Sequence, residues 1–139
     1  MSGLVRGTGT HVLLDACERG SVEEARLLVA NGAVDVNQKD AEGWTPLLCA
    51  CDSGRLDLAR VLLGVGASAK QCAGGGFSPL FVACQRGSAE IAALLLKHGA
   101  KVDAATGTGA TPLYAACHYD HFGLAQLLLF SGARPNAAT

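Results

Sequence analysis

Aromatic residues are scarce: four Phe, two Tyr and one Trp in 139 residues. Small side chains with so few large anchors suit a regular stack better than one bulky core. An excess of either charge is missing too, with eleven basic residues against twelve acidic and a net charge of −1. That balance excludes a nucleic-acid surface or an anionic-membrane surface, each of which needs a basic excess. No apolar run approaches the roughly 20 residues of a membrane span. The first residues, MSGLVR, lack the apolar stretch of a secretory signal.

Half of the residues are apolar, so the chain can bury a core and a folded chain rather than a disordered one is expected. Its length predicts one domain spanning 1–139. Glycine is abundant, at 18 residues. Six cysteines (Cys17, Cys49, Cys51, Cys72, Cys84 and Cys117) would suggest disulfides in a secreted chain. Nothing in the sequence points to secretion. The thiols are expected to be reduced and the protein intracellular, in cytoplasm, nucleus or both.

A repeat organises the sequence. Gly43-Trp44-Thr45-Pro46-Leu47 returns as Gly76-Phe77-Ser78-Pro79-Leu80 and as Gly109-Ala110-Thr111-Pro112-Leu113, each 33 residues on. Leu62-Leu63 before Gly66-Ala67 returns with the same period at Leu95-Leu96 before Gly99-Ala100 and Leu128-Leu129 before Gly132-Ala133. A weaker copy precedes these, with Leu27-Leu28 before Gly32-Ala33 and His11-Val12-Leu13 at the Thr-Pro-Leu position. Four units follow, at about 5–38, 39–71, 72–104 and 105–137.

Local signals within the units agree. Thr45, Ser78 and Thr111 are N-cap residues, and the proline after each sits where a missing N–H costs nothing. Gly54 and Gly87 end a short first helix at a position favouring positive φ. Asp57 or Glu90 marks the start of a second helix, where a carboxylate meets the positive helix end. Leu58, Val61 and Leu62 form its apolar stripe, and Gly66 or Gly99 stops it. A helix–turn–helix of this size cannot bury its apolar face alone. Stacked copies can, which predicts an all-α solenoid.

These residues resemble the ankyrin repeat. The matching text is DAEGWTPLLCACDSGRLDLARVLLGVGA (40–67), GFSPLFVACQRGSAEIAALLLKHGA (76–100) and GATPLYAACHYDHFGLAQLLLFSGA (109–133). The resemblance implies antiparallel helix pairs with β-hairpin-like loops on one side, a concave binding surface and no catalysis. Three departures carry expectations. The loop aspartate is Asp40 in the second unit but Ala73 and Thr106 in the next two, whose loops should be less well pinned. The histidine of the family's TPLH is Leu48, Phe81 and Tyr114. The helix-ending glycine of the fourth unit is Asp120, which tolerates positive φ at some cost.

In this register Cys17, Cys51, Cys84 and Cys117 form one column, expected to pack inward as small hydrophobes. Packed helices lie roughly 8–10 Å apart, too far for the 4.4–6.8 Å Cα spacing of a disulfide. A ladder of thiols does not converge on one metal. Cys49 falls in another column with Asp15, Val82 and Ala115 and is expected to be half-exposed; Cys72 is expected to be accessible. Cys117-His118-Tyr119-Asp120-His121 looks like a ligand cluster, but an inward Cys117 and an outward His118 would separate its donors. The runs Ala73-Gly74-Gly75-Gly76 and Gly107-Thr108-Gly109 lack the lysine of a phosphate loop. No catalytic arrangement, metal site or cofactor site is expected.

The resemblance implies that a protein or peptide partner meets positions beside the loop aspartate and after the paired small residues of the first helix. Those are Glu42, Trp44 and Asp52, then Phe77 and Arg86, then His118 and Tyr119, with Thr10, Glu18 and Arg19 in the first unit. Trp44, Phe77 and Tyr119 supply the aromatic anchors favoured at interface hot spots. Packing between loops competes with recognition for Trp44 and Phe77. Trp44→Ala is expected to weaken binding more than stability. The expected role is an adaptor or scaffold; the alternatives are a substrate-recruiting arm of a larger complex such as a ubiquitin ligase, or a structural spacer. Arg6, His11, Asp15, Glu18 and Arg19 read as a polar cap on the first unit. Phe122, Leu127 and Phe130 leave the last unit apolar, as if it met further repeats or another chain.

Overall fold

The Thr-Pro and Ser-Pro pairs start helices as their chemistry dictates. Thr45 Oγ1 accepts from the Leu48 amide at 3.2 Å, Ser78 Oγ from Phe81 at 3.1 Å and Thr111 Oγ1 from Tyr114 at 3.2 Å. Each cap residue is extended and its proline opens the helix. In the computed structural model, which describes residues 12–32 and 34–134, eight helices follow in chain order. They are α1 (Val12–Arg19), α2 (Val22–Ala30), α3 (Pro46–Ser53), α4 (Leu56–Gly64), α5 (Pro79–Arg86), α6 (Ala89–Lys97), α7 (Pro112–His118) and α8 (Phe122–Phe130). The readings of Arg6, Thr10 and His11, and the outer limits of the first and last units, lie outside the described residues.

The short inner helices end where glycine permits a left-handed turn. Gly54 (φ 71°) and Gly87 (φ 77°) close α3 and α5. In the fourth unit Asp120 takes that role at φ 63°, the one non-glycine with positive φ among the described residues. The turn reverses the chain, and the outer helix packs back on the inner one.

Inner helices stack in a row, α1 on α3, α3 on α5 and α5 on α7, with outer helices α2, α4, α6 and α8 behind them in looser contact. The core is the seam between the rows. Leu13, Leu47 and Leu80 from the inner helices and Leu58, Leu62, Ile91, Leu95 and Leu128 from the outer ones are almost wholly buried. Ala16, Ala50, Ala83 and Ala116 are fully buried, and their small size lets successive helices approach closely. The result is an all-α ankyrin-type solenoid, with a single isolated β-bridge, Ala73 to Phe77, among the described residues.

The stack's ends differ from its middle. Cys17, Cys51 and Cys84 are fully buried, whereas Cys117 is exposed. The inward expectation for Cys117 is corrected: each buried column thiol lies on an inner helix with another inner helix stacked after it, and no described inner helix follows α7. Cys49 is also corrected, being buried rather than half-exposed; its column neighbours Val82 and Ala115 are buried as well. At the other end, Glu18 and Arg19 are exposed, but so is Leu27 of α2, so the first unit is not uniformly polar.

Candidate functional site

Between each outer helix and the next cap, the chain makes a tight projecting loop. In the second unit Asp40 organises it: its Oδ1 accepts from the amides of Glu42 (2.9 Å) and Trp44 (3.0 Å). In the third unit, where Ala73 replaces the aspartate, backbone bonds hold the turn, Ala73 N–H to Phe77 O at 3.0 Å and Gly76 N–H to Ala73 O at 3.1 Å. In the fourth, Thr106 is buried and its Oγ1 accepts from the Ala110 amide at 3.2 Å. The threonine hydroxyl thus reaches one of the two backbone positions that the aspartate holds in the second unit, so this loop keeps a side-chain anchor with fewer bonds to the loop backbone.

The loops also hold one another. Gly74 N–H donates to Glu42 O at 3.1 Å and Gly107 N–H to Gly75 O at 2.8 Å. Gly43 and Gly76 make this approach possible. Both have positive φ, and a Cβ on either would lie 3.0–3.1 Å from the next loop's amide nitrogen. Three loop tips thus form a fixed row beside the inner helices.

The expected partner-contacting residues divide into three groups. Trp44 is half-buried and packs against the core, so the indole is partly structural. Phe77 is 36% exposed and meets the buried Phe81 edge-on, with centroids 5.4 Å apart. Glu42 is exposed at the loop tip. Asp52 and Arg86 are brought together: the guanidinium spans adjacent inner helices to one carboxylate oxygen, at 2.8 and 2.9 Å. The pair is largely exposed, so each group remains available to a partner.

The third group is aromatic. His118 stacks on Tyr114 (5.6 Å, 17°) and meets Tyr119 edge-on (4.7 Å, 88°). Tyr114 and Tyr119 are about half exposed. Tyr114 was missed as a surface residue because its column neighbours, Leu48 and Phe81, are buried; only its place in the last described unit uncovers it. His121 instead turns inward across the units, its Nε2 3.2 Å from Gln85 O.

Two further side chains tie the units together and escaped the sequence reading. Asn37 bonds to the turn of the next unit through Ser68 N (2.8 Å) and Gly66 O (3.3 Å). Asp103 does the same to Arg134, through its amide (3.2 Å) and guanidinium (3.1 Å). Their shared column, with Lys70 between them, was the available signal.

Burial raises the thiols of Cys17 and Cys84 to about 12, and Cys51 higher still, so these groups are protonated and inert near neutrality. All six cysteines are free thiols. Among the described residues, no three His, Cys, Asp or Glu side chains are placed to hold a metal, and no helix is long and apolar enough to cross a membrane.

A family model for ankyrin repeats (3 copies) matches residues 2–73 and again 64–139. Similar proteins include human and mouse protein phosphatase 1 regulatory subunit 27, each 43% identical over 63 residues, or 45% of this chain and 40% of theirs. Mouse protein phosphatase 1 regulatory subunit 12A is 42% identical over 57 residues, 41% of this chain and 5% of its own length. The chain therefore spans less than half the length of these relatives.

Proposed function

The chain belongs to the ankyrin-repeat family, and from that premise we propose that it is a non-catalytic adaptor that binds a protein or peptide along its loop tips and inner-helix ends. The observation that carries this reading is the row of partly exposed aromatic groups fixed on a rigid frame. Phe77 is held by Phe81, and Tyr119 and Tyr114 flank His118. Aromatic side chains whose rotamers are already fixed lose little entropy on binding and serve as anchors. Asp52 and Arg86, near the ends of adjacent inner helices α3 and α5, supply charges of both signs. A basic groove for nucleic acid is absent from this row among the described residues.

The test is capture from a matched lysate with the wild-type chain and a Phe77→Ala, Tyr119→Ala variant. Both side chains are substantially exposed, so the variant is expected to fold. Partners retained by the wild type should be lost by the variant. Equal capture by both would place binding elsewhere, and no specific capture would favour a spacer.

A more specific reading follows from the relatives: the partner is protein phosphatase 1, and the chain acts as a regulatory subunit. The identity of 43% over 63 residues to regulatory subunit 27 supports it. Titration with the purified phosphatase catalytic subunit tests it, and lack of binding would refute this reading while leaving the adaptor reading to the lysate experiment. The six free thiols support placement in a reducing, intracellular compartment.

A further inference from the structure

Two of the three seams between units are tied by the same side-chain bond, and the middle seam is not. Asn37 Oδ1 accepts from the Ser68 amide, 31 residues on, at 2.8 Å. Asp103 Oδ1 accepts from the Arg134 amide, also 31 residues on, at 3.2 Å. Lys70 holds the same column position in the second unit, and Lys101 stands where Ser68 and Arg134 stand. A lysine side chain has donors and no acceptor, so Lys70 cannot make this bond. Among the described residues the Lys101 amide has no hydrogen-bond partner.

The two lysines meet at this seam instead. Both line one cavity of about 160 Å³, together with the buried Ser78 and Leu80 and with alanines from both units. Lys70 Cε lies 3.9 Å from where a Cβ on Gly99 would stand, so its stem runs over the turn that presents the Lys101 amide. Both lysines are exposed. Neither makes an ion pair among the described residues, and no acidic residue is among those lining the cavity. One N–H donor and two ammonium groups therefore face a small cleft with no carboxylate between them.

We propose that the seam between the second and third units is a carboxylate-binding site, where a carboxylate from outside the chain supplies the oxygen that Asn37 and Asp103 supply at the other seams. The chemistry favours an anion over a neutral acceptor. A carboxylate accepts from the amide through a charge-assisted bond and stands between two like charges that lack a counter-charge. The size limits the ligand. The cavity is well below the roughly 300–1,000 Å³ of sites for drug-sized molecules, and it has room for one acidic side chain or a small dicarboxylate. Its leucine and alanine walls match the methylene groups that carry such a carboxylate. Assigning the carboxylate to a protein partner would extend the adaptor reading, but the site itself stands without it.

Amide NMR titration of the chain at constant ionic strength tests the proposal. The probes are glutarate, an end-capped Ser-Glu-Ser peptide and its Ser-Gln-Ser counterpart. The Lys101 amide resonance should move downfield and saturate with glutarate or the glutamate peptide, and should not respond to the glutamine peptide. Tighter binding of the glutamate peptide would assign the site to a partner's side chain, and tighter binding of glutarate to a free dicarboxylate. Lys70→Met keeps the apolar stem and removes one charge, and should weaken binding about twofold to fivefold. Lys70→Asn restores an acceptor: the Lys101 amide should stand downfield without any probe, and binding should fall by roughly tenfold or more. Lys70 is exposed, so both variants should keep the circular dichroism of the wild type. No saturable response at Lys101, equal responses to the glutamate and glutamine peptides, or an undiminished glutarate response in Lys70→Asn would overturn the proposal.

Discussion

Raising the pH should unfold this protein through its cysteine column. Cys17, Cys51 and Cys84 are fully buried, and desolvation is the largest cause of their raised pKa values, with the neighbouring Cys49 thiol adding to it for Cys17 and Cys51. In the unfolded chain each thiol returns to an ordinary value near 9.0. The folded value is the higher one, so the stabilisation is fully present below pH 9. It is lost as pH rises toward 12, because only the unfolded chain can release the proton. At pH 10 the difference is about 1.4 kcal/mol per thiol, or roughly 4 kcal/mol for three, against a typical total stability of about 5–15 kcal/mol. The assay is urea unfolding of the reduced protein at pH 8, 9 and 10, beside a Cys17→Ala, Cys51→Ala, Cys84→Ala variant. The variant should start less stable, since each substitution removes a buried sulfur, but it should lose much less between pH 8 and 10. Equal losses in the two proteins would show that ionisation elsewhere drives alkaline unfolding, and the column argument would fail.

Three other outcomes are expected. Under native conditions an aromatic disulfide reagent should react quickly with two thiols, Cys72 and Cys117, and slowly with the other four, which are buried. Gly87→Ala should cost more than Gly54→Ala in thermal or urea unfolding: both have positive φ, but a Cβ at Gly87 lies 2.5 Å from the His121 ring, while one at Gly54 has only Ser88 Oγ at 3.8 Å. The second should cost about 1 kcal/mol and the first clearly more. A double-mutant cycle on Asp52 and Arg86 should give a coupling of about 0.2–1 kcal/mol that shrinks with added salt, as an exposed pair requires.

Much of the fold was legible because repetition multiplies weak signals. One Thr-Pro pair suggests a helix start; three at a spacing of 33, each followed by a glycine or Asp120 at the turn, specify a stack. The core columns Leu47/Leu80 and Ala50/Ala83 followed from the same register. The register says what a position does in the middle of the stack and is silent on what it does at an end. Cys117 and Tyr114 were misread or missed for that reason, since burial of a column depends on a following unit rather than on the residue itself. Cys49 went wrong differently: a column containing Asp15 looked wet, but Val82 and Ala115 supply an apolar seam. Thr106 shows that another side-chain oxygen can take over one of the two amide bonds that the aspartate makes in the second unit. The loop row's aromatic residues could be named from sequence. The division of labour among them, with Trp44 packed inward and Phe77 and Tyr119 outward, depended on contacts between units.

The central claim is that a protein partner docks on the loop tips and inner-helix ends. Amide hydrogen exchange of the chain with and without its captured partner tests this most directly. Added protection is expected in the loops around 40–44, 73–77 and 106–110 and at the inner-helix ends around 52–53, 85–86 and 118–119, with α2, α4 and α6 unchanged. Protection confined to the outer helices, with the loop row exchanging as in the free chain, would contradict the account.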